Sequence, residues 1–174
     1  MLGAVLLAIV FFIGIPFAQV AFTAPTKDLP FLANNLRLEY PAAYNLGLNK
    51  SQSVAVLSNF TRFVNATLAD KLVNFTAFWL VSVNASTNLN ITAGNFLGGN
   101  ATILLTIGSA STNLSVQTNS TNTTLFTAPG ATFNLTIQAG GFTETVQWLR
   151  DKANLYVFFE LRRNADTVRE EIIA

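Results

Sequence analysis

Apolar and polar residues alternate with a period of two over most of the chain after residue 72. In a strand, residues two apart share a face. ATFNLTIQAG puts Phe133, Leu135 and Ile137 on one face and Thr132, Asn134, Thr136 and Gln138 on the other. NATILLTIG sets Ala101, Ile103, Leu105 and Ile107 against Asn100, Thr102 and Thr106. Leu89 with Ile91, and Leu114 with Val116, repeat the pattern, and NLYVFFELRR aligns Leu155, Val157, Phe159 and Leu161. The longest run, KLVNFTAFWLVSVN, aligns Val73, Phe75, Ala77, Trp79, Val81 and Val83. Its opposite row, Asn74, Thr76, Ser82 and Asn84, also holds Phe78 and Leu80, so part of the second face is expected to be covered. Turn signals separate the runs at Gly98-Gly99, Ser109-Ala110-Ser111, Pro129-Gly130 and Gly140-Gly141. Short alternating strands at this spacing predict an all-β fold, an antiparallel β-sandwich or barrel. Residues 53–69 are compatible with a helix or a strand. NADTVREEIIA has Thr167 and Glu170 at capping-box spacing and reads as a short helix or a fraying tail.

The N-terminus breaks the pattern. MLGAVLLAIVFFIGIPFAQVAF, residues 1–22, has one polar side chain, Gln19, and no charge. The expected organisation is an apolar segment at 1–22, a linker at 23–30 with Pro25 and Pro30, a sandwich domain at 31–163 and a tail at 164–174. Four readings of the segment compete. A cleaved secretory signal fits the apolar run but lacks a basic n-region and small residues at the cleavage site. A membrane helix fits the length, with Pro16 as an interruption. The helical core of a type IV pilin would have to pass Pro16, Pro25 and Pro30. A strand donated to a neighbouring subunit fits the strand-favouring residues Val5, Leu7, Ile9, Val10, Phe11, Phe12, Ile13, Ile15, Phe17, Val20 and Phe22. Extended, the segment spans roughly 70 Å, whereas a domain of about 150 residues is roughly 40 Å across. Burying about eight apolar side chains would contribute on the order of 10–25 kcal/mol gross, less about 1–2 kcal/mol per ordered residue.

Charge sharpens the picture. Leu72 to Thr143, 72 residues, contains no Asp, Glu, Lys or Arg. Soluble domains ordinarily cover themselves with charge. Asparagine takes its place here. The N-x-[ST] sequon occurs at Asn49, Asn59, Asn65, Asn74, Asn84, Asn90, Asn100, Asn113, Asn119, Asn122 and Asn134, 11 of the 18 asparagines. Ser and Thr fill 29 of 174 positions, one in six, so chance would make about three. The sequon marks a surface position in a secreted protein, so covalent N-linked glycans and an extracellular or cell-surface location are expected.

Composition removes most chemistry. The chain has no His and no Cys, hence no common general base, thiol nucleophile or thiolate metal site. A net charge of +1 argues against a nucleic-acid footprint. Glu144 is the first acid after the neutral stretch and Asp151 reads as a turn residue; no pair of acids sits in a motif. The expectation is no enzyme, no cofactor, no metal site and no small-molecule substrate, with calcium the least surprising exception because oxygen ligands suffice for it.

AFTAPTKDLPFLANNLRLEY, residues 21–40, resembles the start of mature TasA and camelysin-type matrix proteins through Ala21-Phe22, Lys27-Asp28, Phe31 and Leu36-x-Leu38, a layout that implies an alternating strand at Leu36 and Leu38. Leu68-x-Asp70-Lys71-Leu72 resembles their next strand pair, and Val157-Phe158-Phe159-Glu160-Leu161 their closing strand. The resemblance covers about 60 residues. It implies a jelly-roll-like sandwich polymerised by donor-strand complementation, as in archaeal bundling-pilus subunits. The expected function is therefore a structural subunit of an N-glycosylated pilus or biofilm-matrix fibre, with identical subunits and neighbouring filaments as partners. A membrane-anchored surface glycoprotein and a pilin-like subunit with a helical N-terminal core are the alternatives.

Overall fold

The computed structural model describes residues 28–83, 88–139 and 142–174. The apolar segment 1–22, most of the linker and Asn84 lie outside the described residues. The chain divides into two compact units: residues up to Phe75 together with Glu160–Glu170, and Thr76–Phe159 together with Glu171–Ala174.

The first unit holds a helical hairpin. Helix α1 (Leu29–Asn49) and helix α2 (Ser53–Ala69) are joined by three residues. Pro30 stands in the first turn of α1, where its missing N–H costs nothing. The buried face of α1 is Leu29, Leu32, Ala33, Leu36, Tyr40, Ala43, Tyr44 and Gly47, a row of period 3.6. This corrects the strand expected around Leu36 and Leu38 and the start of the sandwich at residue 31. Leu36 is fully buried and Leu38 is 69% exposed, as helical spacing requires and strand spacing forbids. On α2, Val56, Leu57, Phe60, Thr61, Val64 and Leu68 are buried, which decides residues 53–69 for helix.

The helices meet closely. A Cβ on Gly47 would stand 2.5 Å from Ser53 Cα, so only glycine allows the approach. The rings of Tyr40 and Phe60 meet edge to face at 4.9 Å. The Tyr40 hydroxyl donates to Thr61 Oγ1 at 3.2 Å, and Thr61 donates to Leu57 O at 2.8 Å. Arg37 reaches Glu170 at 3.8 Å.

Most of the antiparallel β-sandwich that alternation predicts is in the second unit, with Glu160–Glu170 of its last two strands counted in the first. Nine strands, β1 (Asn74–Ser82), β2 (Asn88–Phe96), β3 (Ala101–Ile107), β4 (Ala110–Val116), β5 (Ser120–Thr127), β6 (Thr132–Ala139), β7 (Phe142–Leu149), β8 (Asn154–Arg163) and β9 (Asp166–Ile173), form two sheets. One has the order β5-β2-β1-β8-β9, the other β4-β3-β6-β7. The expected tail 164–174 is corrected: it is β9, turned back from β8 through Asn164, whose φ is +53°. Its capping-box spacing has no helix to cap.

The inward rows hold as alternation predicts. Leu89, Ile91, Ile103, Leu105, Ile107, Leu114, Val116, Phe133, Leu135 and Ile137 are buried in one core with Val146, Trp148 and Tyr156. Phe78 and Leu80 belong to that core as well. Ala77, Trp79, Val81, Leu155, Val157 and Phe159, on the other row, are buried too. The middle of this sheet is thus buried on both faces, and its residues read as a continuous apolar run for that reason. Val83, beyond the end of β1, is 48% exposed, against expectation.

Polar groups tie the sheets together. Trp148 Nε1 donates to Ser82 Oγ at 2.8 Å, which explains why Ser82 is buried rather than outward as its row suggested. Asn154 Nδ2 donates to the same oxygen at 3.1 Å and to Leu149 O at 2.6 Å, and its Oδ1 accepts from Leu149 N. Asn95 Nδ2 donates to Gly99 O at 2.8 Å and to Val116 O at 2.9 Å.

Two predictions follow from packing and burial. The Trp79 ring lies directly on Gly94, and a Cβ there would overlap the indole. Gly94→Ala is expected to lower stability by about 1–3 kcal/mol, read as a shift of the urea midpoint. Burial raises the Glu39 carboxyl from 4.5 to about 7. Between those values the folded chain keeps a proton that the unfolded chain has lost, so stability falls as pH rises through this window and is level on either side. Glu39→Gln is expected to abolish the fall and to raise stability at pH 8 by at most about 3 kcal/mol, with little effect at pH 4. Melting temperatures of both proteins across pH 4–8 check it.

Candidate functional surface: sequons and sheet edges

The sequon asparagines sit on every kind of element. Asn49 is the last residue of α1, and Asn59 and Asn65 lie on the solvent face of α2 with Arg62. Asn74 opens β1, Asn90 is in β2, Asn100 precedes β3, Asn113 is in β4, Asn122 in β5 and Asn134 in β6. Asn119 occupies the β4–β5 turn with φ +56°, a left-handed conformation that asparagine tolerates.

All ten described sequon asparagines are exposed. The two buried asparagines, Asn95 and Asn154, belong to no sequon. The first group presents an amide to water; the second uses its amide to hold turns and sheets. The pleat explains exposure at Asn90, Asn113 and Asn134, whose neighbours on both sides point inward. It does not apply to Asn59 and Asn65, where a helical face does the same work.

Local hydrogen bonds distinguish individual positions. Asn100 Oδ1 accepts from Thr118 N at 3.1 Å. Asn122 Nδ2, the atom to which a glycan would bond, donates to Ser115 O at 2.8 Å. Between strands, hydroxyls pair as well: Thr92 with Thr123 at 2.9 Å and Thr136 with Thr145 at 3.0 Å. Such cross-strand pairs add modestly to sheet stability and keep a charge-free surface wet.

The charges gather at the other end of the chain. From Glu144 onward there are eleven charged residues and no sequon. Here Glu144, Tyr156 and Glu171 influence one another. Burial, then the two carboxylates, push the Tyr156 phenol above its ordinary range. Burial, then Glu144, raises the Glu171 carboxyl. The Tyr156 hydroxyl and Trp79 Nε1 are buried without a hydrogen-bond partner. Among the described residues no group of three or more acids, His or Cys stands in metal-binding geometry, and no helix is long and apolar enough to cross a membrane. The donor-strand residues from Val5 to Phe22 lie outside the described residues.

Sequence reading missed Asn95 and Asn154, which pin the turns. Their one visible signal is the lack of Ser or Thr two residues on. The chain matches no family model, no curated protein and no solved structure.

Glycan occupancy is checked by mass. Protein from its native host is expected to exceed the 18.8 kDa of the bare polypeptide, with peptide mapping placing sugar at Asn100 and Asn134 more fully than at Asn122. A native mass equal to the polypeptide overturns the expectation.

Proposed function

We propose that this chain is a structural subunit of an extracellular, N-glycosylated filament, a pilus or matrix fibre, that polymerises head to tail by donating residues 1–22 to the next subunit. The observation that carries the reading is the division of the asparagines: sequon asparagines are exposed without exception among the described residues, and the buried asparagines are not sequons. Accident would make about three sequons from 18 asparagines, not eleven. A surface kept wet by glycans has no need of charge, which fits the neutral stretch from Leu72 to Thr143.

The apolar segment supplies the polymerising part of the reading. Twenty-two residues without charge must be buried, and strand addition to a neighbour buries them while satisfying their backbone. A head-to-tail contact that does not close on itself makes a fibre. Catalysis has no support, since the chain lacks His and Cys and its acids form no cluster of three among the described residues.

One observation favours a second reading. The described chain begins helically at Leu29, soon after the apolar segment, where the family resemblance led to a strand. A pilin-like subunit with a helical N-terminal core would place a helix there. The amide I infrared band of filaments labelled with ¹³C carbonyls in residues 1–22 separates the two, because strand and helix absorb at different frequencies.

The deciding test is a truncation that begins at Thr23. It is expected to form no filaments, and a synthetic peptide of residues 1–22 is expected to bind it and raise its melting temperature. Phe11→Asp in the full chain should also block assembly while the domain stays folded, since a buried unpaired carboxylate costs several kcal/mol. Normal fibres from the truncated protein would overturn the mechanism. A monomer that detergent extracts from membranes would favour the anchored glycoprotein instead.

A further inference from the structure

Among the described residues four strands stand at sheet edges: β5 and β9 in one sheet, β4 and β7 in the other. An edge strand turns the N–H and C=O of alternate residues outward and is a template for another chain unless something guards it. Three of the four are guarded. β4 carries the exposed sequon Asn113, and β5 carries Asn122 and follows the Asn119 turn. β9 carries Asp166, Arg169, Glu170 and Glu171.

β7 is the exception. Its sequence, FTETVQWL, has no sequon, no Lys or Arg and no Pro. Its one charge, Glu144, shares a row with the buried Val146 and Trp148, so it faces the core side. The outward row is Thr143, Thr145 and Gln147, all exposed and all neutral. Its neighbour β6 adds Thr136, paired with Thr145, to the same small polar surface.

The sheets are also unequal. One has five strands and the other four. β4 lies against β5 and β2, so the two sheets are aligned at that side. The shorter sheet therefore ends one strand early at β7. On the core side of this edge Phe158 is only half-buried, and Ile173, on the row of Glu171, is 61% exposed. The buried hydroxyl of Tyr156 lacks a partner in the same region.

We propose that β7 is the acceptor edge, and that residues 1–22 of a second copy of this chain pair with it as a fifth strand of the shorter sheet. The proposal rests on the filament reading above. The size pattern of the segment fits the position. Its odd row, Val5, Leu7, Ile9, Phe11, Ile13, Ile15 and Phe17, is large throughout, whereas the even row mixes Leu6, Val10, Phe12 and Pro16 with the small Ala4, Ala8, Gly14 and Ala18. A strand beside β7 turns one row to the core side, over Phe158 and Ile173, and the other toward the threonine surface. The large row suits the first and the mixed row the second. Twenty-two residues exceed the eight of β7, so register does not limit the pairing.

A single substitution guards the open edge in the way the protein guards its others. Thr143→Asn completes a sequon with Glu144 and Thr145. Asp166→Thr, the control, completes one at Asn164 in the β8–β9 turn. Both full-length variants are made in the glycosylating host, and intact mass confirms one added glycan on each. Thr143→Asn is expected to be secreted and to melt within a few degrees of the parent, while its filament yield falls at least tenfold; Asp166→Thr is expected to assemble as the parent does. Glycan-bearing Thr143→Asn that assembles normally overturns the β7 site and leaves the filament reading standing. A parent chain that forms no filaments overturns the filament reading and this site with it. Hydrogen exchange on the parent is independent of any variant: β7 amides are expected to slow at least tenfold in filaments relative to dissociated subunits. Filaments in which β7 exchanges at the subunit rate also overturn the proposal.

Discussion

The unpaired backbone of an edge strand is the constraint on which the rest of this chain depends. Two sheets of five and four strands expose four edges, and each edge can recruit another strand as readily as its own neighbour did. Most β-proteins answer with lysines and inward-pointing charges. That answer is closed to strands β1 to β6, because no charge occurs between Leu72 and Thr143. The surface must stay wet and the edges unavailable by neutral means. Threonine hydroxyl pairs such as Thr92–Thr123 hold water at the faces, and exposed sequons stand where charges would.

Asparagine therefore does two opposed jobs in one chain. At Asn95 and Asn154 the amide is buried and satisfies backbone groups that turns leave without partners. At the sequon positions it faces solvent. The difference is set by what surrounds each residue. Asn154 holds the connection from β7 to β8 and shares the Ser82 hydroxyl with Trp148, so it sits where the sheets are joined. Asn134 sits between Phe133 and Leu135, whose burial forces it outward. The same side chain is a staple in one place and open to solvent in the other.

The sandwich was legible because alternation is a direct projection of the pleat: a residue such as Ile137 points inward whatever strand lies beside it. The helical hairpin was missed: Leu29, Leu32, Leu36, Tyr40, Ala43 and Gly47 do recur at helical spacing, but Leu36 and Leu38 also satisfy a period of two, and the resemblance favoured the strand. Residues 166–173 read as a short helix or a fraying tail because Thr167 and Glu170 stand at capping-box spacing; strand β9 is charged because it is an edge. Sheet order lay beyond reach. Which strands become edges depends on contacts between β1 and β8, more than seventy residues apart, and nothing local records it. For the same reason the opposed roles of the two Phe78 and Trp79 faces were only half visible, since burial on both faces reads as an apolar run without saying what covers it.

The number of open edges sets the kind of polymer the proposed mechanism can build. One donor segment and one acceptor edge give each subunit a valence of two, and subunits of valence two make unbranched chains. A second open edge would let filaments fuse side by side into sheets, the route by which apolar strands reach amyloid-like packing. The guards on β4, β5 and β9 are then as much a part of assembly as the vacancy at β7, because they confine strand addition to one place. Sugar suits this purpose better than charge. A single charge is screened within about 10 Å at 0.1 M salt, whereas a glycan excludes a neighbouring strand by its volume at any ionic strength. On β4 and β5 the proposed guard is sugar, which salt does not switch off; on β9 it is charge.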